Sequence, residues 1–214
     1  MSTDRLHINT FRYDDDIIAA MRHDRKPRLQ IYRLSGTAVV LGRGSVPEKE
    51  LHIKACISDR VPLLKRHGGG CAVVLDPGNV IVSAVLPVKG LGGHRLHFER
   101  MTRWLIEGLR QAGVEGVTHE GISDLAVDGR KIGGACMYHP KNLLYYSATL
   151  VVVPDMAKVE RYLRYPPREP AYRQSRTHRD FMMALAPSLW PGSAEQLAFA
   201  LKKNLQADPI DPLC

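Results

Sequence analysis

The chain has 214 residues, 44% hydrophobic and 24% charged, a balance that supports one sizeable core and excludes wholesale disorder. A formal charge of +8 favours an anionic partner, yet the basic residues are dispersed and carry no finger, RNA-sheet or helix-turn-helix signature, which disfavours nucleic acid. The opening "MSTDRLHINTFRYDDDIIAA" has no basic start ahead of an apolar core, and no apolar run reaches the ~18 residues of a spanning helix, so a cytoplasmic protein with no membrane association is expected.

Cys56, Cys71, Cys136 and Cys214 are scattered without a CxxC pair, which fits reduced thiols better than a disulfide framework or a zinc site. Cys214, at the end of the chain, is expected to be exposed and inert.

Along the chain, "RLQIYRL" and "TAVVLG" flank a Ser35-Gly36 break and predict a strand pair with a short turn. "SVPEKELHIKACISDRVPLL" opens as a loop, then sets Leu51, Ala55 and Cys56 at the spacing of one short helix. Gly68, Gly69 and Gly70 follow, behind Lys65 and Arg66. Such a triplet admits positive φ and lets backbone N–H groups approach an anion, although a plain flexible turn accounts for it too. "AVVL" and "NVIVSAVLP", separated by Asp76, Pro77, Gly78 and Asn79, predict a hairpin.

"FERMTRWLIEGLRQAG" places Phe98, Met101, Leu105 and Leu109 on one helical stripe and stops at Gly113. In "DLAVDGRKIGGACMY" the Asp128-Gly129 pair predicts a second hairpin, "LLYYSATLVVV" another strand, and "DMAKVERYLRY" a helix. Prolines, basic residues and aromatics mix between Pro166 and Pro187, before a last amphipathic helix around Leu197, Leu201 and Leu205. Hairpin strands interspersed with helices imply an α+β fold with a mixed, largely antiparallel sheet flanked by helices.

Several residues are candidates for chemistry. Lys131 stands just past the Asp128-Gly129 turn, and Gly133, Gly134 and Ala135 leave space beside its ammonium. A cation fixed against a glycine-lined groove would stabilise charge developing on a phosphate or carboxylate; the alternative is an ordinary solvated lysine. Asp124, Asp128 and Asp76 are candidate magnesium ligands, Asp124 first among them, each with an alternative role at a turn or strand end. Arg173, Arg176, His178 and Arg179 in "YRQSRTHRDF" either close on an anion or form a solvated basic loop. His178 is also a candidate acid-base group.

Three motifs, in order, carry a resemblance: "VVLGR" at Val39 to Arg43, "RHGGGCAVVLDPGN", and "DLAVDGRKIGGACMY". Together they resemble the lipoate-protein ligase and octanoyltransferase family, whose catalytic domain is like that of biotin ligases. The resemblance implies the biotin/lipoate ligase fold, with 1–165 as the catalytic domain and 166–214 as a loop and helix packed on it rather than a full accessory domain.

It also implies Lys131 as the catalytic residue, and Arg43, Arg66, Gly68, Gly69, Gly70, Asn79, Gly133 and Gly134 as contacts to substrate and adenylate. From the residues themselves, Asp124 is the candidate Mg2+ ligand and Arg176 and His178 a candidate anion site, while Val73 and Val82 either wall an apolar slot for the acyl chain or are ordinary core. The implied reaction is ATP-dependent activation of lipoate to lipoyl-AMP, then transfer to a lysine of an acidic lipoyl carrier domain or glycine-cleavage H-like protein, with a small accessory subunit as a further partner. "VTHEGISD" and "YRQSRTHRDF" lack the cysteine that carrier-dependent transferases use there, so a thiol relay through Cys71 or Cys136 is the rival chemistry. A biotin ligase, lacking its Gly-Arg-Gly-type loop here, and a non-catalytic nucleotide or nucleic-acid binding module are further alternatives.

Overall fold

The computed structural model describes residues 6–88 and 93–207; Cys214 lies outside them. Ten strands form two sheets among the described residues. One is four-stranded and mixed, built from β1 (Ile8–Thr10), β4 (Leu63–Lys65), β3 (Ala38–Leu41) and β5 (Val73–Leu75) in that order. The other is six-stranded and antiparallel, in the order β2 (Arg28–Tyr32), β6 (Asn79–Pro87), β10 (Leu143–Val151), β9 (Arg130–Tyr138), β8 (Asp124–Val127) and β7 (Thr118–Glu120). The expected α+β class, mixed and largely antiparallel, is the one observed.

Alternation of side chains divides the six-stranded sheet into two unlike faces. Val80, Val82, Ala84 and Leu86 of β6, with Leu144, Tyr146 and Leu150 of β10, point into the main core. Two helices cover that face, α4 (His94–Gln111) through Met101, Leu105 and Leu109, and α7 (Ala194–Asn204) through Leu197, Ala198 and Leu201. Each fully buried leucine there contributes roughly 1.5–3 kcal/mol. Leu185 and Leu205 join the same cluster, so the C-terminal segment shares the core of the sheet. The opposite face carries Ile81, Val85, Cys136 and Tyr145 and packs against helix α1 (Asp15–Asp24) and the four-stranded sheet. α2 (Pro47–Glu50) precedes α3 (Ile53–Ser58), and α3 with α5 (Met156–Tyr162) closes the outer face of the smaller sheet around Leu41, Leu51 and Val159.

Both strand pairs expected upstream of the lysine segment are corrected. β2 and β3 do not pair with each other: β2 bonds to β6, and β3 to β4 and β5. β5 and β6 are likewise not a hairpin, because the chain changes sheets between them. The turn itself is as read. Asp76 Oδ1 accepts from Gly78 N at 2.7 Å and Asn79 Oδ1 from Asp76 N at 2.8 Å. Asp76 Oδ2 accepts from Asp155 N, 79 residues on, so this corner is tied to a distant loop rather than to a neighbouring strand. Local residue types specify a turn, but the pairing partner depends on which apolar face each strand must bury.

The single helix expected over Leu51 to Cys56 is broken. Leu51 bridges to Leu163 between α2 and α3, and its burial in the smaller core outweighs helical continuity. β1, α1, β4 and β7 were not anticipated; three are three-residue strands, too short to show a period. The Asp128-Gly129 hairpin forms as expected, with φ of 49° and 68° at its two corner residues, which glycine tolerates freely and aspartate more readily than most. α4 starts at His94, four residues before Phe98, and ends ahead of Gly113 with φ 91°. No helix among the described residues is long and apolar enough to cross a membrane.

Candidate active site

The site is organised along β9. Asp124 of β8 stands opposite Gly134 and Leu125 opposite Gly133, but Ala126 is already opposite Lys131. Ile132 is therefore an extra residue, a β-bulge, and it turns fully buried into the main core beside Leu125. The bulge shifts the alternation by one, so that Lys131 shares a face with Gly134 and Cys136. Lys131 Nζ then donates to Asp124 Oδ1 at 2.7 Å. A Cβ on Gly134 would lie 3.0 Å from that Nζ and 3.2 Å from Asp124 Oδ1, so the missing side chain makes room for the lysine itself. A Cβ on Gly133 would lie 2.7 Å from the Thr149 carbonyl oxygen, so this glycine serves the close approach of β10.

Asp124 is held from its other side as well. Its Oδ2 accepts from the Tyr172 hydroxyl at 2.9 Å. Burial, and next the Asp124 charge, push the Tyr172 phenol well up, which keeps it a proton donor. The segment around Tyr172 is bound to the lysine strand through Arg176 Nη2 to the Gly129 carbonyl, Arg130 Nη2 to the Met182 carbonyl, and Met183 N to the Lys131 carbonyl.

The glycine turn lies farther along the same face of β9. A Cβ on Gly68 would lie 2.5 Å from Cys136 Sγ, and the His67 ring stacks on Tyr138 at 5.5 Å. Gly134 and Cys136 are roughly 7 Å apart along the strand, so lysine and glycine turn bound one stretch of sheet. Arg66 is folded into its own loop: its guanidinium donates to the carbonyls of Val40, Gly69 and Cys71. Gly70 has φ 88°, and a Cβ on Gly42 would be 1.9 Å from the Gly70 carbonyl oxygen. Buried Glu50 completes the clamp, accepting from Ala72 N at 2.6 Å and from Ser45 Oγ at 2.9 Å. Of the triplet, Gly69 faces open space. Arg43 is exposed, with its guanidinium 5.8 Å from the centroid of the Tyr138 ring.

The remaining sequence candidates fall differently. Asn79 is 3% exposed, occupied by the Asp76 turn, and opposite Val151 at the end of β10 adjoining the lysine strand. Val82 points into the main core, away from the glycine face. Arg176 binds the carbonyls of Tyr172, Arg173 and Gly129. Burial first, then the charges of Arg173 and Lys131, push His178 down to about 4, so it is neutral near pH 7 rather than a cation for an anion. Asp124 does not fit a magnesium ligand, since one oxygen meets an ammonium and the other a hydroxyl donor. Among the described residues no three His, Cys, Asp or Glu side chains gather as a metal cage. Burial raises both thiols near the site, Cys71 and Cys136, with the Glu50 charge adding to the rise at Cys71.

Tyr172, Gly42 and Glu50 escaped the reading of the sequence. Gly42 had a signal, as the residue closing "VVLG"; Tyr172 reaches Asp124 and Glu50 reaches Ala72 across more than 20 residues, and those contacts left none.

Residues 9–206 match the lipoyl protein ligase A/B catalytic domain. The chain belongs to that family. A probable lipoate-protein ligase A of Mycoplasma genitalium is 29% identical over 147 residues, which are 69% of this chain and 43% of that protein. The chain thus spans less than half the length of that relative. A structure of a bipartite archaeal lipoate protein ligase and its E2 lipoyl domain from Thermoplasma acidophilum superposes with a TM-score of 0.76 at 22% identity, covering 93% of this chain and 80% of that one. A lipoate-protein ligase A bound with ATP superposes with a TM-score of 0.74 at 20% identity, covering 92% and 83%. The fold around Lys131 is that of lipoate-ligase catalytic domains.

Proposed function

We propose that this chain activates lipoate with ATP and passes the lipoyl group to a lysine of an acidic carrier domain. The carrying observation is the Lys131 ammonium, fixed by Asp124 over a glycine-lined strand and facing the same surface as the glycine turn. In the first step a lipoate carboxylate oxygen bonds to the α-phosphorus of ATP, and the bond to the departing pyrophosphate breaks. Negative charge gathers on the phosphoryl oxygens, where a preorganised ammonium is most effective. In the second step the carrier amine attacks the acyl carbon, AMP leaves, and the amine proton passes to solvent. Lys131 polarises the acyl carbonyl there and stabilises departing AMP.

On this reading Gly69 is where backbone approaches the adenylate, because it alone of the triplet faces open space. Arg43 and Lys131 are the cations that meet the ligand, whereas Arg66, Arg176 and Asn79 build the frame. Asp124 orients the lysine rather than binding magnesium, and no step is assigned to the metal. The +8 charge speeds encounter with an acidic carrier. The cytoplasm is the setting we propose, where Cys56, Cys71 and Cys136, all free, stay reduced. A thiol relay is disfavoured because Cys71 and Cys136 are shifted toward the unreactive thiol.

The test incubates the chain with ATP, magnesium, lipoate or octanoate, and an apo lipoyl domain, following pyrophosphate release and carrier mass. ATP-dependent pyrophosphate release with carrier acylation is expected. Release without acylation assigns transfer to a separate accessory subunit, while acylation from octanoyl-carrier protein without ATP overturns the ligase reading.

A further inference from the structure

We propose that Tyr172 is a positioning residue for the lysine centre: through Asp124 it holds the Lys131 ammonium over Gly134. The inference rests on the reading of Lys131 as the activating cation. Its geometric basis is a three-member chain, Tyr172 hydroxyl to Asp124 Oδ2 at 2.9 Å and Asp124 Oδ1 to Lys131 Nζ at 2.7 Å. A carboxylate bonded through one oxygen rotates freely about its last torsion, and a lysine carries several more rotatable bonds. A donor on each oxygen removes the first freedom, and the ion pair then removes the second.

The turn that presents Tyr172 is built for that purpose. Tyr172 lies in a 3-10 turn, Ala171–Arg173, followed by Gln174 at φ 52° and Ser175 at φ 58°. Two successive residues with side chains in the left-handed region are unfavourable unless their surroundings impose them. Here the surroundings do. Arg173, 4% exposed, lies between the Tyr165 and Phe181 rings at 4.7 and 4.8 Å, and Arg173 Nε donates to the Arg176 carbonyl at 3.0 Å. Arg176 donates back to the carbonyls of Arg173 and Tyr172 at 3.0 and 2.7 Å.

Mere attachment of this segment does not require the tyrosine hydroxyl. Arg176, Arg130 and Met183 already attach it through main-chain carbonyls. The Tyr172 hydroxyl instead meets the carboxylate of Asp124, which grips Lys131.

Tyr172→Phe tests this in the full chain, with two readouts. The first is competitive labelling of lysines by acetic anhydride, read at Lys131 by peptide mass spectrometry. Loosening of the ion pair is expected to raise labelling of Lys131 several-fold relative to the other lysines, with Asp124→Asn giving a rise at least as large. Unchanged Lys131 labelling in Tyr172→Phe overturns the proposal, whatever reaction the enzyme catalyses. The second is lipoyl-AMP formation. A fall of about tenfold in kcat, with KM for ATP and lipoate within about twofold, is the scale of one lost hydrogen bond to a charged group. In an Asp124→Asn background the tyrosine change is expected to cost nothing more, whereas full additivity overturns the proposal by assigning Tyr172 an independent structural effect. Absence of any acyl-adenylate from the wild-type chain defeats the functional reading alone, and the labelling still decides the role of Tyr172.

Discussion

The glycine turn and the lysine segment border the same stretch of β9, yet they handle their polar groups in opposite ways. In the glycine turn the polar groups face inward: Arg66 caps carbonyls of its own loop, Glu50 takes backbone N–H groups, and Gly42 and Gly68 serve close packing. At the lysine segment a charge is pushed outward by a bulge, then gripped by one carboxylate and, through it, one phenol. One region is a packed wall and the other a mounted cation. Side chains removed from the wall should act on stability first, and those removed from the lysine centre on rate first.

The largest effect expected from this contrast is at Lys131. Lys131→Ala should lower acyl-adenylate formation by about a thousandfold or more, the scale for removing a preorganised charge from a transition state. Its unfolding midpoint should fall modestly, since the lysine side chain is 27% exposed but Asp124, 12% exposed, is left with the Tyr172 hydroxyl as its side-chain donor. Wild-type turnover in this variant would defeat the assignment, and a collapse in stability would place Lys131 with the wall.

Legibility in the sequence follows the same division. The residue types at both motifs were readable, because glycine beside a basic residue and lysine before two glycines are local patterns. The Asp128-Gly129 hairpin, β10, α4 and α7 were readable for the same reason, each carrying its period or turn within about 15 residues. What escaped depended on distant contacts. Leu51 breaks a helical pattern to meet Leu163, β5 and β6 part company at Asp76, and Tyr172 reaches Asp124 across 48 residues. Arg66 and Asn79, expected from motif alone to contact the ligand, have framework roles on the proposed reading, because Arg66 bonds carbonyls of Val40, Gly69 and Cys71 and Asn79 bonds the Asp76 turn.

The glycines sharpen the contrast inside the wall. A Cβ at Gly68 would overlap Cys136 Sγ at 2.5 Å, so Gly68→Ala should destabilise the fold by about 1–3 kcal/mol, the cost of overpacking a filled site. Gly69 meets nothing within 4 Å, and its φ lies outside the left-handed region. Gly69→Ala should therefore change stability by no more than about 0.5 kcal/mol while raising KM for ATP, since the added methyl stands where the adenylate approaches. Denaturant titration and initial rates on both variants check this. Equal destabilisation by the two would show the turn to be uniformly packed; an unchanged KM in Gly69→Ala would move the nucleotide elsewhere.

The smallest effect expected is the share of the pH dependence that His178 contributes on the C-terminal side of the site. His178 begins α6 (His178–Phe181), where burial, then the Arg173 and Lys131 charges, push it down to about 4 against an opposing pull from Glu160. An unfolded histidine titrates near 6.5, so between about pH 6.5 and about pH 4 the unfolded chain holds a proton that the folded chain refuses. The contribution of neutral His178 is complete above that window and is lost as the pH falls through it. Denaturant titrations at about pH 5 and about pH 7.5 should show wild type losing stability between them, with His178→Gln losing less. Gly68→Ala, whose added methyl meets the Cys136 thiol that burial keeps protonated across this range, should lower both values equally. An undiminished pH gap in His178→Gln would mean that His178 charges freely in the fold, and that the segment holding Tyr172 is more open than its buried Arg173 and carbonyl-bound Arg176 imply.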